Sequence, residues 1–179
     1  REEEKLRKVL EDAKKVSKEV NEEDDRVNKE VEDVLREVKK EIDEVLKRAT
    51  ETVERVKREN KDSEELKKTI DDIRRKIKKE IDDVKREIDE LLKDARRHSK
   101  EVKDEDKRIN DEIREILRRR ELPVDEIVKR IKELVDRSRK LSEENVRRLK
   151  KIVKRVKERV KELLDRIKEM AKEIEDRVR

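Results

Sequence analysis

Cysteine, glycine and aromatic residues are absent from these 179 residues, and proline and histidine occur once each. Each absence removes a class of structure or chemistry. Without aromatics and without glycine for turns at positive φ, hairpins and sheets have little to be built from. Glycine-rich phosphate loops, dinucleotide-binding turns and nucleophile elbows fall for the same reason, because each needs glycine where backbone must approach closely. Disulfides, zinc fingers and cysteine or histidine relays need residues that the chain does not supply. No run approaches the roughly 18 apolar residues of a membrane span, and the first residues carry no apolar signal region. A soluble protein with no membrane role is expected. No compartment is specified, beyond the cytoplasm if the chain is made in bacteria.

What is present is charge. Lys and Arg number 58, Asp and Glu 53, and charged residues make up 62% of the chain against 30% hydrophobic. Such a composition suggests disorder unless the apolar residues are patterned. Here the signs are interspersed, and Glu, Lys, Arg, Leu, Val and Ile dominate, as in long helices. Two places carry stop signals. Around Asn60-Lys61-Asp62-Ser63, Asn60 suits a left-handed helix end, and Asp62 with Glu65 three residues on reads as a capping box. Around Glu121-Leu122-Pro123, proline suits the first turn of a new helix, and Asp125 and Glu126 suit its positive end. The expectation is one domain over residues 1–179, with helices at about 2–59, 63–120 and 123–178 and loops at about 60–62 and 121–122.

Along each helix the apolar residues recur every 18 residues, which is five turns of an unstrained helix. Val9, Val27, Val45 and Val20, Val38, Val56 are such rows; so are Ile73, Leu91, Ile109 and Ile131, Leu149, Ile167. Seven- and eleven-residue repeats supercoil a helix, whereas this one matches the relaxed helix, so the helices should be nearly straight. One stripe per helix suffices for an antiparallel, up-down-up three-helix bundle, and no second stripe for a subunit interface stands out. A monomer is expected, with a homo-oligomer as the alternative.

Polar residues interrupt the stripe at Ser17, Asp24, Ser99, Asp106, Ser138, Ser142 and Asn145, flanked by Asn28, His98 and Asn110. Short loops make successive helices antiparallel neighbours. That pairing puts Asp24 level with Ser99 and Asn145, and Ser17 level with Asp106 and Ser138, with Asn21 and Ser142 between. The two layers lie roughly 10 Å apart at ~1.5 Å of rise per residue. Carboxylates accept while hydroxyls and amides donate, so each layer holds complementary groups. A catalytic or metal centre would use the same residue types. Two carboxylates so far apart with one flanking imidazole do not make a metal shell, and the Glu-x-x-His pattern of di-metal bundles is missing. A buried set of hydrogen bonds that fixes helix register fits better. In a third reading, Asn21-Glu22-Glu23-Asp24 and Ser142-Glu143-Glu144-Asn145 are caps marking helix breaks. Unbroken apolar phase on both sides opposes it.

Charge is also uneven: net −2 through Lys61, 0 from Asp62 to Glu121, and +7 beyond. From Arg147 to Lys161 there are nine basic residues and a single acid, Glu158. A basic stretch suggests nucleic acid or an anionic surface. The level stretches of the other helices are acidic, with Glu37, Glu41 and Glu44 on one and Glu80, Glu87 and Glu90 on the other, so pairing between helices accounts for it. No specific nucleic-acid partner, cofactor or enzymatic activity is expected.

The 18-residue phase, glycine-free helices, minimal loops, aliphatic core and co-levelled Ser, Asn and Asp residues resemble a computationally designed, parametrically generated helical bundle with installed hydrogen bonds. Spectrin-type three-helix units are similar in topology, but their helices are about half as long and they bury tryptophan. The designed class implies a structural scaffold. The alternative role within it is an interaction module: a self-assembling subunit, or a switch cage with an exchangeable terminal helix.

Overall fold

The computed structural model describes residues 1–119 and 121–178. It contains α1 (Glu2–Glu59), α2 (Glu64–Arg118) and α3 (Val124–Val178), packed as an all-α three-helix bundle. The expected extension of the second helix to residue 120 reaches a position outside the described residues; helicity stops at Arg118. Each first turn is acidic (Glu2–Glu4; Glu64, Glu65; Asp125, Glu126) and each last turn basic (Lys57, Arg58; Arg118; Arg177), complementing the helix dipole.

Two local expectations are overturned at the first loop. Among the described residues none has positive φ, so Asn60 does not take the left-handed position. It closes α1 through its side chain, donating from Nδ2 to the Val56 carbonyl at 3.0 Å. The cap of α2 is Ser63 rather than Asp62: its Oγ accepts from the Leu66 amide at 3.2 Å and its carbonyl from the Lys67 amide at 3.2 Å. Both residues are good N-caps, and a one-residue difference in where the chain turns decides between them. At the second loop α3 starts at Val124, with the Pro123 carbonyl accepting the first helical bonds from Glu126 and Ile127.

Contacts divide the chain into two compact units, each drawing on all three helices. The first comprises residues 1–31 and 93–151, the second 32–92 and 152–179. Within each, α1 and α2 run antiparallel, as do α2 and α3. The first unit packs Val9, Val16, Val20, Ile109, Ile113, Ile127, Ile131 and Leu134 into its core. The second packs Ile42, Val56, Ile70, Ile77, Ile81, Val160, Leu163 and Ile167. The single stripe is too narrow a description of both. Val53, Ile116, Val128 and Val135 are also buried. They lie on a second row beside the first, because a helix with two neighbours needs an apolar face wider than one seam. Leu46 and Leu117 are the large apolar residues left exposed among those described.

Candidate functional site

The polar positions gather in the first unit, where α1 and α3 stay helical through residues 20–26 and 139–146, so neither Asn21–Asp24 nor Ser142–Asn145 marks a break. Asp24, 2% exposed, projects from α1 into the core. Ser99 Oγ of α2 lies 2.7 Å from Asp24 Oδ2 and 2.9 Å from Oδ1. Asn145 Nδ2 of α3 donates to Oδ1 at 3.2 Å, so three helices meet at one carboxylate. Asn28, one turn along α1, donates to Ser99 Oγ at 2.8 Å and reaches Asp24 Oδ2 at 3.4 Å. Ser99 thus has its proton committed to the carboxylate and a lone pair committed to an amide.

Asp106, 7% exposed, is the centre of a second layer. Ser17 Oγ of α1 donates to Oδ2 at 2.8 Å, and Asn110, one turn along α2, reaches the same oxygen at 3.4 Å and Ser17 Oγ at 3.3 Å. The two layers repeat one arrangement with the helices exchanged: Asp and Asn four apart on one helix, Ser on the other. Two members were not singled out as site residues from the sequence. Asn21 donates to Asp106 Oδ2 at 3.2 Å, and Lys103 Nζ stands 3.7 Å from Asp24 Oδ2. Each sits three residues before the Asp of its own helix, a spacing that places it beside the opposite layer.

Other expected members are not drawn in. Ser138 is buried at the level of Asp106, but among the described residues its hydroxyl makes no hydrogen bond. Ser142 is half-buried and likewise unbonded. His98 is half-buried on the α2–α3 side and touches neither Asp; its Nδ1 lies 3.4 Å from Arg148 Nη1 and 3.6 Å from Glu101 Oε2. The layers are not fully satisfied, since Asn145 Oδ1 is buried without a partner.

Electrostatics follow from these contacts. The Lys103 ammonium is held above its ordinary range, chiefly by its hydrogen bond to Asp25 at 3.1 Å, with Asp24 adding attraction. In the second unit Arg159 is raised further by hydrogen bonds to Glu87 at 2.7 Å and to Glu162 at 2.9 Å. The basic stretch of α3 therefore meets acidic α2 within this unit, as Arg155 and Arg159 reach Glu87, and beyond the stretch Arg166 reaches Glu80.

Both Asp side chains are sealed in the core, and the serine hydroxyls facing them have no imidazole to act as a base. Among the described residues, no group of three or more His, Cys, Asp and Glu side chains could hold a metal ion. No helix among them is long and apolar enough to cross a membrane. A groove of about 470 Å³ lies between α2 and α3 in the first unit, lined among others by Val102, Leu141, Asn145, His98 and Arg148. Comparison with protein-family models, curated proteins and solved structures finds no significant match to this chain.

Proposed function

We propose that the chain is a structural module without catalytic activity: a designed three-helix bundle whose buried polar layers specify register and topology. The observation that carries this reading is Asp24, a core carboxylate with donors from α1, α2 and α3. A slip of one helix past another would strand that charge, and an uncompensated buried charge costs several kcal/mol. An all-aliphatic 18-residue repeat offers no such penalty, because shifted registers bury nearly the same surface. The absence of a similar family is consistent with a designed origin.

The layers are there for uniqueness, not net stability, since hydrogen bonds offset the desolvation of a buried carboxylate only in part. The test replaces both layers together with aliphatics of the same rows: Asp24→Leu, Asn28→Leu, Ser99→Ile, Asn145→Leu, Ser17→Leu, Asp106→Ile, Asn110→Leu and Ser138→Val. The expected variant has an equal or higher denaturant midpoint. Its solution mass is no longer a clean 21.9 kDa, because alternative registers and associations open. A variant several kcal/mol less stable that remains a clean monomer would defeat the reading. A parent that is itself a clean multiple of that mass would favour a self-assembling subunit.

A further inference from the structure

The grooves between helices are not alike in charge. The α2–α3 groove of the first unit is lined by four carboxylates and four Lys or Arg residues, and an α1–α2 groove of the second unit by two of each. A pocket of about 210 Å³ between α1 and α3 in the second unit breaks that balance. Three cations line it, Arg48 from α1 and Lys168 and Lys172 from α3, against one carboxylate, Glu175. That carboxylate is already bonded to Arg55. Glu44, Glu51, Asp165 and Glu169 lie about one turn from these cations on the same helices, yet none of them lines the pocket, and among the described residues the three cations make no ion pair.

The walls of the pocket depart from the rows of their helices. At 18-residue spacing, Val16 and Val34 are followed by Thr52, and Val135 and Val153 by Ala171. Ala171 and the buried Ala49 leave space at the floor, while Thr52 keeps the shape of valine and adds a hydroxyl. That hydroxyl is uncommitted. Thr50 and Thr69 donate to carbonyls four residues back, at 2.8 and 3.1 Å, whereas the half-buried Thr52 makes no hydrogen bond among the described residues.

We propose that this pocket is a binding site for a phosphate dianion, free or as the monoester of a small alcohol. The donors stand in two pairs, each one turn apart on its own helix: Arg48 and Thr52 on α1, Lys168 and Lys172 on α3. An ion seated between them meets donors from both walls. A tetrahedral anion has oxygens for both, whereas a planar carboxylate offers only two. The guanidinium engages two phosphate oxygens together, and the ammonium and hydroxyl donors serve the others. Short side chains at the floor let the ion approach, and their apolar surface suits the alcohol part of an ester. Once bound, the ion replaces repulsion among three like charges with attraction to a common centre.

The experiment is a ¹⁵N NMR titration with inorganic phosphate and with phenyl phosphate at about pH 7.5, where phosphate groups are mainly dianionic. Sodium chloride at matched ionic strength is the control. Expected are saturable shifts centred on the amides of residues 48–52 and 168–172. Arg48→Gln and Lys168→Gln should each weaken binding about tenfold, as loss of one charge-assisted hydrogen bond does. Thr52→Val, which changes no charge, should weaken it measurably. Lys132→Gln removes an exposed lysine of the first unit and should leave it unchanged. Tighter binding of phenyl phosphate identifies an ester as the ligand, and tighter binding of inorganic phosphate the free ion. Shifts that do not saturate, or that chloride reproduces, would overturn the proposal, as would equal weakening by Lys132→Gln and Lys168→Gln. Unchanged affinity in Thr52→Val would overturn it too, because the ion would then lie outside the pocket.

Discussion

The two units are built from the same rows of aliphatic residues and differ in where their specificity resides. In the first, two carboxylates sit in the core at 2% and 7% exposure, and the helices are bonded from inside as well as along the rim, where Arg137 reaches Glu105 and Arg139 reaches Asp12. In the second, the buried core among the described residues is aliphatic, and the bonds between helices run along the rim: Arg55 to Glu175, Arg74 to Glu54, Arg159 to Glu87, Arg166 to Glu80. An inside bond has no water to fall back on when a helix slips, whereas a rim pair loses little because water replaces its partner. Core hydrocarbon holds helices together in either case. On the proposed function, only the first unit also penalises the wrong register heavily.

The difference can be broken most severely by transplanting a core carboxylate. Ile167 is 0% exposed among aliphatic neighbours. Ile167→Asp places a charge where no donor awaits it, at a cost of about 4 kcal/mol or more. Equilibrium urea unfolding should show the second unit failing first, with amide exchange accelerated around Ile70, Ile81 and Ile167. If this substitution is tolerated as easily as Asp is at position 24, the donors of the first unit are not what makes a core carboxylate acceptable.

A smaller effect is expected from removing one donor. Ser99→Ile leaves Asp24 with Asn28 and Asn145 and leaves Asn28 without its best acceptor, so stability should fall by about 2 kcal/mol. The equivalent change in the other layer, Ser17→Leu, should cost less. Ser17 is only half-buried, and Asp106 keeps the amides of both Asn21 and Asn110 on the same oxygen. Equal losses in chemical denaturation would show that the layers are energetically alike despite their different access to solvent.

Much of this architecture could be read from the residues, and the exceptions have physical reasons. The three helices follow from the 18-residue rows and the two stop signals, since periodicity over more than 50 residues leaves little ambiguity. The levels of Asp24, Ser99 and Asn145 follow from antiparallel pairing alone. Which side chains close a bond does not, because level arithmetic fixes height and leaves reach open. Asn145 extends one bond further than Ser138, and of the two α3 residues placed in the layers only Asn145 spans the gap to a carboxylate. The capping serine at position 63 and the added core row of Val53, Val128 and Val135 depend on a fraction of a turn of helix rotation. The expectation that His98 belongs with the Asp residues failed on the same point, as its ring faces the α2–α3 groove.

On the rim of the second unit, Arg159→Gln should cost under about 1 kcal/mol, as partly exposed pairs do even with good geometry. A loss comparable to that of Ser99→Ile in urea unfolding would mean that the second unit is specified from its rim as strongly as the first is from its core.

The smallest expected effect distinguishes the units by pH. Lys103 is raised above 10.5, first by its hydrogen bond to Asp25 and further by attraction to Asp25 and Asp24. A cation whose pKa is higher folded than unfolded binds its proton more tightly in the folded state. Its contribution is therefore complete below the unfolded value and is lost as pH rises through the folded one. The corresponding cation of the second unit is Arg159, held above its ordinary range chiefly by its hydrogen bond to Glu87, and it keeps its charge throughout that window. The raw alkaline decline is a property of the whole chain and says nothing about one site. The comparison that isolates Lys103 is parent against Lys103→Arg, which keeps the charge at all accessible pH. Urea midpoints measured from about pH 9.5 to 11.5 should converge at the lower end and separate at the upper, with the arginine variant falling less. Parallel curves would mean that Lys103 gains nothing from its carboxylates in the folded state. The Asp24 layer would then rest on Ser99, Asn28 and Asn145 alone.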